Sequence, residues 1–145
     1  MLGSVMSIIA GAAMSLQGVI NTRLSEKIGL YESNVFVQGT ALIFGLIAMW
    51  ILGKGDFAGL AETKKVYWSG GLLGTVIIIA VMMAIGNLSP THAIAIILIS
   101  QLLSAAVIDA FGWLGAEKVP FTWNKWVGLG FMIAGVIAFK WDRSG

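Results

Sequence analysis

The segment from Thr91 to Gly115 reads THAIAIILISQLLSAAVIDAFGWLG, an apolar run that contains a few polar residues. At about 1.5 Å per residue, a helix over this segment is long enough to cross a hydrocarbon core of about 30 Å. Helical spacing places Gln101, Ser104 and Asp109 on or beside one face. Polar groups are costly in hydrocarbon and normally point into a bundle or a wet cavity. We therefore predict that this helix lines a site or a pathway.

Composition indicates a membrane protein. Of the 145 residues, 58% are hydrophobic and 11% are charged, whereas a soluble domain has about 25% charged residues. The length suits a single transmembrane domain over residues 1–145. The chain contains no cysteine, which excludes disulfides, thiol catalysis and thiolate metal sites. The basic residues fall at helix ends rather than along a stripe, so no nucleic-acid partner is expected.

Five apolar segments are separated by short polar loops, and they cover about 2–22, 33–52, 66–87, 91–115 and 124–141. The first segment lacks a basic start and a convincing cleavage site, so we expect a membrane helix rather than a signal peptide. The predicted fold is an all-α membrane protein with five transmembrane helices. Short loops make neighbouring helices antiparallel.

Helix 1 carries a small-residue stripe and a polar face. The stripe recurs every three or four residues, which lets helix backbones approach closely, and it comprises Gly3, Ser7, Gly11, Ser15 and Gly18. The polar face contains Gln17 and Asn21. Gln17 either lines a site or bonds a neighbouring helix.

Further polar residues come from helices 2 and 4. Gln38 lies near the start of helix 2, on the same membrane side as Asn21, and we expect it to line a polar chamber. Ser33 or Asn34 is expected to cap that helix. The candidate substrate-binding residues, placed in a chamber between helices 1, 2 and 4, are Gln17, Asn21, Gln38, Gln101 and Ser104. Helix 5 has no polar residue in its interior and is expected to pack or dimerise.

Two ionisable residues have competing interpretations. His92, the single histidine, follows Pro90 at a helix start, where an interfacial position is favoured over a proton relay. Asp109 lies near the far end of helix 4. It is either a carboxylate near the lipid headgroups, paired with Lys118 or Lys125, or the residue that couples transport to protons.

The basic residues are almost evenly divided between the two membrane sides. The loops on the side of the N-terminus carry Lys54, Lys64, Lys65, Lys118 and Lys125, and the other side carries Arg23, Lys27, Lys140 and Arg143. Because the counts of five and four are nearly equal, the positive-inside rule predicts no clear preference for one orientation. The chain could therefore insert in both orientations and pair as an antiparallel homodimer of ten helices, the geometry that other transporters reach by inverted repeats.

Two groups of residues resemble a known transporter family. Gly128 to Lys140, with the preceding Leu114-Gly-Ala-Glu-Lys, resembles the closing helix of the drug/metabolite transporter (DMT) superfamily. More narrowly, the stretch from Gln17 to Leu24 and the stretch from Ser100 to Gly112 resemble its small five-helix YdcZ-like members. The resemblance implies a half-sized inner-membrane transporter, which works as a homodimer or with a second five-helix subunit.

The leading hypothesis is therefore a secondary transporter or facilitator of a small polar or amphipathic solute. A dual-topology ion channel and a structural membrane subunit without cargo are the alternatives. No acidic residue is expected at mid-membrane, which disfavours a small multidrug exporter of cations, because that mechanism depends on a carboxylate in the first helix. We expect no enzymatic activity, cofactor or metal, because there is no cysteine, one peripheral histidine and no pair of carboxylates on one face.

Overall fold

The computed structural model describes residues 1–141, with the side chains of 1–138, and this part is α-helical without strands. Five α-helices follow the five apolar segments: α1 (Leu2–Ile28), α2 (Leu30–Leu52), α3 (Gly70–Asn87), α4 (Pro90–Phe111) and α5 (Trp123–Trp141). Short 3₁₀ turns at Phe57–Glu62, Lys65–Ser69 and Trp113–Gly115 complete it. The predicted all-α fold class is confirmed.

Four of the described helical segments are long and apolar enough to cross a membrane: Leu2–Ile28, Leu30–Leu52, Lys65–Asn87 and Pro90–Phe111. The fifth predicted span is helical in α5 but does not belong to this set. Helix α5 has 19 residues, with Asn124 and Lys125 near its start and Lys140 near its end. That α5 crosses the membrane stays a prediction.

The connection between α1 and α2 is a single glycine. Helix α1 continues beyond the predicted boundary at residue 22 to Ile28, and the Arg23–Glu26 salt bridge, at 3.0 Å, lies in this extension. Gly29 has φ 101° and ψ 158°, a conformation that side-chain-bearing residues rarely adopt. A Cβ at Gly29 would collide with the carboxylate of Glu32. Glycine is therefore required where the chain reverses.

The early start of α2 overturns the predicted cap. Because α2 begins at Leu30, Ser33 and Asn34 lie inside the helix, and no side chain caps its first turn. The prediction that Ser33 or Asn34 caps helix 2 is therefore wrong. Both side chains are buried.

Helix α4 starts as predicted and ends earlier. Pro90 opens it, and the preceding Ser89 directs its hydroxyl to Nδ1 of His92 at 2.6 Å. Gly112 ends it in the left-handed conformation, φ 65°, with its N–H donated to the carbonyl of Ile108. The predicted end at residue 115 was wrong by four residues because this glycine stops the helix.

The helices form two compact units. In the first unit, Met1–Asn87, α1 packs on α2 and α3, and α2 packs on α3. Its buried apolar side chains are Met82 and Ile85 of α3. In the second unit, which begins at Leu88, α4 packs on α5, and Ala93 and Leu129 are buried. Many large apolar side chains remain exposed, as suits helices that face lipid or another chain.

The close approach between α1 and α3 occurs at Gly18. A Cβ built there would lie 2.9 Å from Cδ1 of Ile85 and 3.0 Å from Cγ1 of Val81. By contrast, Gly3 and Gly11 have no such neighbour within 4 Å. The predicted close packing through the small-residue stripe of α1 is therefore confirmed at Gly18 and is wrong, within this chain, at Gly3 and Gly11.

Gly18→Leu is expected to lower the free energy of unfolding by about 1–3 kcal/mol, because its side chain cannot fit against Val81 and Ile85 without displacing α3. The measurement is an SDS titration of the purified protein in mixed micelles, followed by far-UV circular dichroism. Gly11→Leu is the matched control, since it makes the same change in helix propensity in open surroundings. Equal effects of the two substitutions would contradict the assigned contact.

Candidate functional site

The polar face of α1 enters the interior of the first unit at Asn21. Gln17 and Asn21 are separated by one helical turn, but Gln17 is exposed whereas Asn21 is buried. Next to Asn21, Thr22 is also buried, and its hydroxyl donates to the carbonyl of Gly18 at 2.8 Å. The methyl group of Thr22 lies beside Gly86, 3.8 Å from the position that a Cβ there would take. This part of α1 therefore faces α3 near the end of that helix.

Four buried polar side chains flank the α1–α2 turn. They are the buried polar residues of the described part of the chain: Asn21, Thr22, Ser33 and Asn34. Ser33 is completely buried, and Asn34 is 7% exposed. The α1–α2 turn brings the end of α1 and the start of α2 to one end of the first unit. We call these four residues the polar cluster.

Two oxygen atoms of the polar cluster have no hydrogen-bond partner. They are Oγ of Ser33 and Oδ1 of Asn34. A buried polar group without a partner costs about 1–3 kcal/mol, so such groups are rare in folded proteins. Both oxygens can accept a hydrogen bond, and the serine hydroxyl can also donate one. The cluster therefore has unused capacity to accept hydrogen bonds.

Sequence reasoning identified Asn21 and missed the other three members of the cluster. The signal was present as two adjacent polar pairs, at 21–22 and 33–34, on either side of a glycine turn. A capping role for Ser33 and Asn34 predicts that they lie at the helix boundary, whereas the structure places them inside the bundle.

Gln38 joins two helices of the first unit. Its Nε2 donates to Oγ1 of Thr75 at 3.2 Å, and the same nitrogen lies 3.6 Å from the position of a Cβ on Gly74. The Thr75 hydroxyl in turn donates to the carbonyl of Gly71. Gln38 is half-buried, so its amide links α2 to α3 while part of it stays accessible. Its role in a polar chamber stays a prediction.

In the second unit, Gln101 and Ser104 are exposed on α4. The neighbouring Ser100 satisfies its hydroxyl by donating to the carbonyl of Ile96 in the same helix, at 3.0 Å. Because α4 is long and apolar enough to cross a membrane, the amide of Gln101 cannot face lipid without a high cost. The chamber predicted between helices 1, 2 and 4 stays a prediction.

Asp109 borders a groove between α4 and α5. The groove has a volume of about 500 Å³ and is lined mainly by apolar residues, with Lys125 as its second charged residue. No ion pair within residues 1–138 joins Asp109 to Lys118 or Lys125, so the predicted pairing is wrong for the described side chains. The backbone carbonyl of Asp109 accepts the N–H of Val119 at 2.9 Å, which holds the connecting loop against the end of α4.

The chain matches a known protein family. The model of the DMT_YdcZ family, described as "Putative inner membrane exporter, YdcZ", matches residues 2–138. Neither a curated protein nor a solved structure matched the chain. The family match covers nearly the whole chain and agrees with the four apolar helices that can cross a membrane. The chain is thus a multi-pass inner-membrane protein that belongs to the DMT_YdcZ family.

Proposed function

We propose that this chain is half of a secondary transporter or facilitator, which carries a small polar or amphipathic metabolite across the inner membrane. It works by alternating access in an antiparallel homodimer, or with a second five-helix subunit. The family description as an exporter supports the transporter class. The proposed substrate-binding residues are Gln17, Asn21, Gln38, Gln101 and Ser104, to which the buried cluster adds Ser33 and Asn34.

The observation that carries this proposal is the pair of unpartnered oxygens in the polar cluster. A purely structural membrane subunit gains nothing from burying Ser33 and Asn34 without partners, because each costs free energy. A transporter does gain, since a polar solute can replace its water shell by bonds to such groups. Alternating access also needs a site that can be empty and filled in turn.

A second chain is proposed because polar residues are uncovered in this one. Gln17, Gln101 and Ser104 are exposed on helices that are long enough to span the bilayer. An antiparallel partner would cover them and turn their exposed groups toward a shared chamber. The almost even charge count supports two opposite orientations, and Arg143, one of the nine basic residues counted, lies outside the described residues. In this proposal Asp109 couples transport to protons.

Gln101→Leu is expected to reduce saturable transport at least tenfold while dimer assembly is preserved. The assay is counterflow in proteoliposomes loaded with radiolabelled amino acids, polyols and nucleosides, with cross-linking as the readout for assembly. Ser100→Ala is the control, because that hydroxyl bonds only a carbonyl of its own helix in the described contacts. Unchanged counterflow in Gln101→Leu would remove this residue from the site, and linear, unsaturable flux would favour a channel.

Ser33→Ala is expected to lower transport without lowering stability, because the substitution removes a hydroxyl that has no partner. Thr22→Val provides the contrast, since it breaks the bond to Gly18 and should cost about 0.5–1.5 kcal/mol. The free energy of unfolding in mixed micelles and counterflow are measured on the same preparations. A stability loss in Ser33→Ala with full transport would show a structural role for the hydroxyl.

If the chain inserts in both orientations, a single cysteine on either predicted side of the membrane should be labelled on about half of the molecules. Gly55→Cys lies in the loop after α2, and Ser144→Cys lies beyond the described residues, on the opposite predicted side. Intact cells are treated with a membrane-impermeant thiol reagent, and the chain has no native cysteine to give background. Full labelling at one position with none at the other would mean a single orientation.

A further inference from the structure

The groove between α4 and α5 has the size and lining of a small-molecule site. Its volume of about 500 Å³ falls within the range of about 300–1,000 Å³ that is usual for ligand pockets. Its apolar lining includes Leu102 and Ala106 of α4 and Leu129 and Met132 of α5. All residues that line it belong to the second unit.

Both charged residues of the groove lie at the same end. Asp109 is in the last turn of α4, and Lys125 is in the first turn of α5. These two turns are the ones that the α4–α5 loop joins. The apolar residues Leu102 and Met132 lie two helical turns further along the two helices. The groove therefore has a charged end and an apolar length.

Neither charge stabilises the helix on which it lies. A carboxylate at a helix C-terminus and an ammonium at a helix N-terminus both oppose the macrodipole. Asp109 and Lys125 occupy these two unfavourable positions. They also form no ion pair with each other among the described side chains. Helix stability and a mutual salt bridge therefore do not explain why the two charges are there.

Lys125 is held at the groove by its neighbours. Its Nζ lies 3.4 Å from the carbonyl oxygen of Pro120 and 5.8 Å from the centroid of the Phe121 ring. That ring packs edge-to-face on Trp126, with centroids 4.7 Å apart. These contacts leave part of the ammonium group available, since it has three donors and only one is used in these contacts.

We propose that this groove binds a small zwitterion with an apolar body, of the class of the aliphatic α-amino acids. The ammonium group of the ligand lies toward Asp109, and its carboxylate lies toward Lys125. Its side chain lies along Leu102, Leu129 and Met132. None of the proposed substrate-binding residues lines this groove, so the inference goes beyond the proposed function, and the binding can be measured without transport.

The test compares three probes on the full chain, purified in detergent. They are L-leucine, 4-methylpentanoate, which lacks the ammonium group, and 3-methylbutylamine, which lacks the carboxylate. Titration calorimetry is expected to give a dissociation constant for L-leucine at least tenfold below that of either other probe. Equal affinity for all three probes, or no binding of L-leucine, overturns the proposal.

Two substitutions separate the roles of the charges. Asp109→Asn is expected to weaken the binding of L-leucine at least tenfold and to leave the affinity for 4-methylpentanoate unchanged. Lys125→Gln is expected to weaken the binding of L-leucine by the same factor and to leave the affinity for 3-methylbutylamine unchanged. Asp56→Asn and Lys64→Gln, in the exposed loop of the first unit, are controls that keep wild-type affinity. Circular dichroism and gel filtration verify folding. Should either groove variant fail to fold, Ala105→Phe obstructs the groove from an exposed position and is expected to weaken L-leucine as strongly.

A phospholipid with a zwitterionic headgroup is the competing occupant. Native mass spectrometry after extraction reports any phosphatidylethanolamine that the protein retains. Lipid that is retained by the wild type, lost in Asp109→Asn and not displaced by L-leucine overturns the proposal. Selective L-leucine binding without counterflow would contradict the proposed transport and leave this inference standing, whereas counterflow of another solute without L-leucine binding would contradict only this inference.

Discussion

The hydrocarbon core of a membrane supplies no hydrogen-bond partner, and this constraint governs the structure at every level. Backbone groups must be satisfied within each segment, which leaves the helix as the only option for spans of this length. Some polar side chains are likewise satisfied within their own helix. The hydroxyls of Ser7, Ser15 and Thr22 donate to carbonyls one turn earlier in their own helix. Polar residues that do not follow this pattern are therefore the informative ones.

Departures from the rule are concentrated in the first unit at the α1–α2 turn. There Ser33 and Asn34 carry buried oxygens without partners, while Gln38, one turn further along α2, bonds across to Thr75. The packing that buries them depends on two glycines with different roles. Gly18 lets α1 approach α3, and Gly29 lets the chain reverse in one residue. Close packing thus surrounds a group of side chains whose hydrogen-bonding capacity is left unused.

The second unit places its polar groups differently. Instead of a buried cluster, α4 and α5 enclose a groove with Asp109 and Lys125 at one end. The exposed Gln17 and Gln101 add polar surface that lipid cannot satisfy, which is why a partner chain belongs to the proposal.

The helical class, the positions of the five helices and the membrane environment follow from the amino-acid order alone, because apolar length and the need to satisfy the backbone leave few alternatives. The same order places Asn21 on a polar face of helix 1 and Gly18 in its small-residue packing stripe. Helix ends were less predictable, since Gly29 and Gly112 stop helices through backbone conformation rather than hydropathy. The burial of Ser33 and Asn34 without partners, and the position of Asp109 beside a groove with Lys125, become visible once the helices are packed. These properties depend on what surrounds a side chain in space, and helical periodicity reports only the face on which it lies.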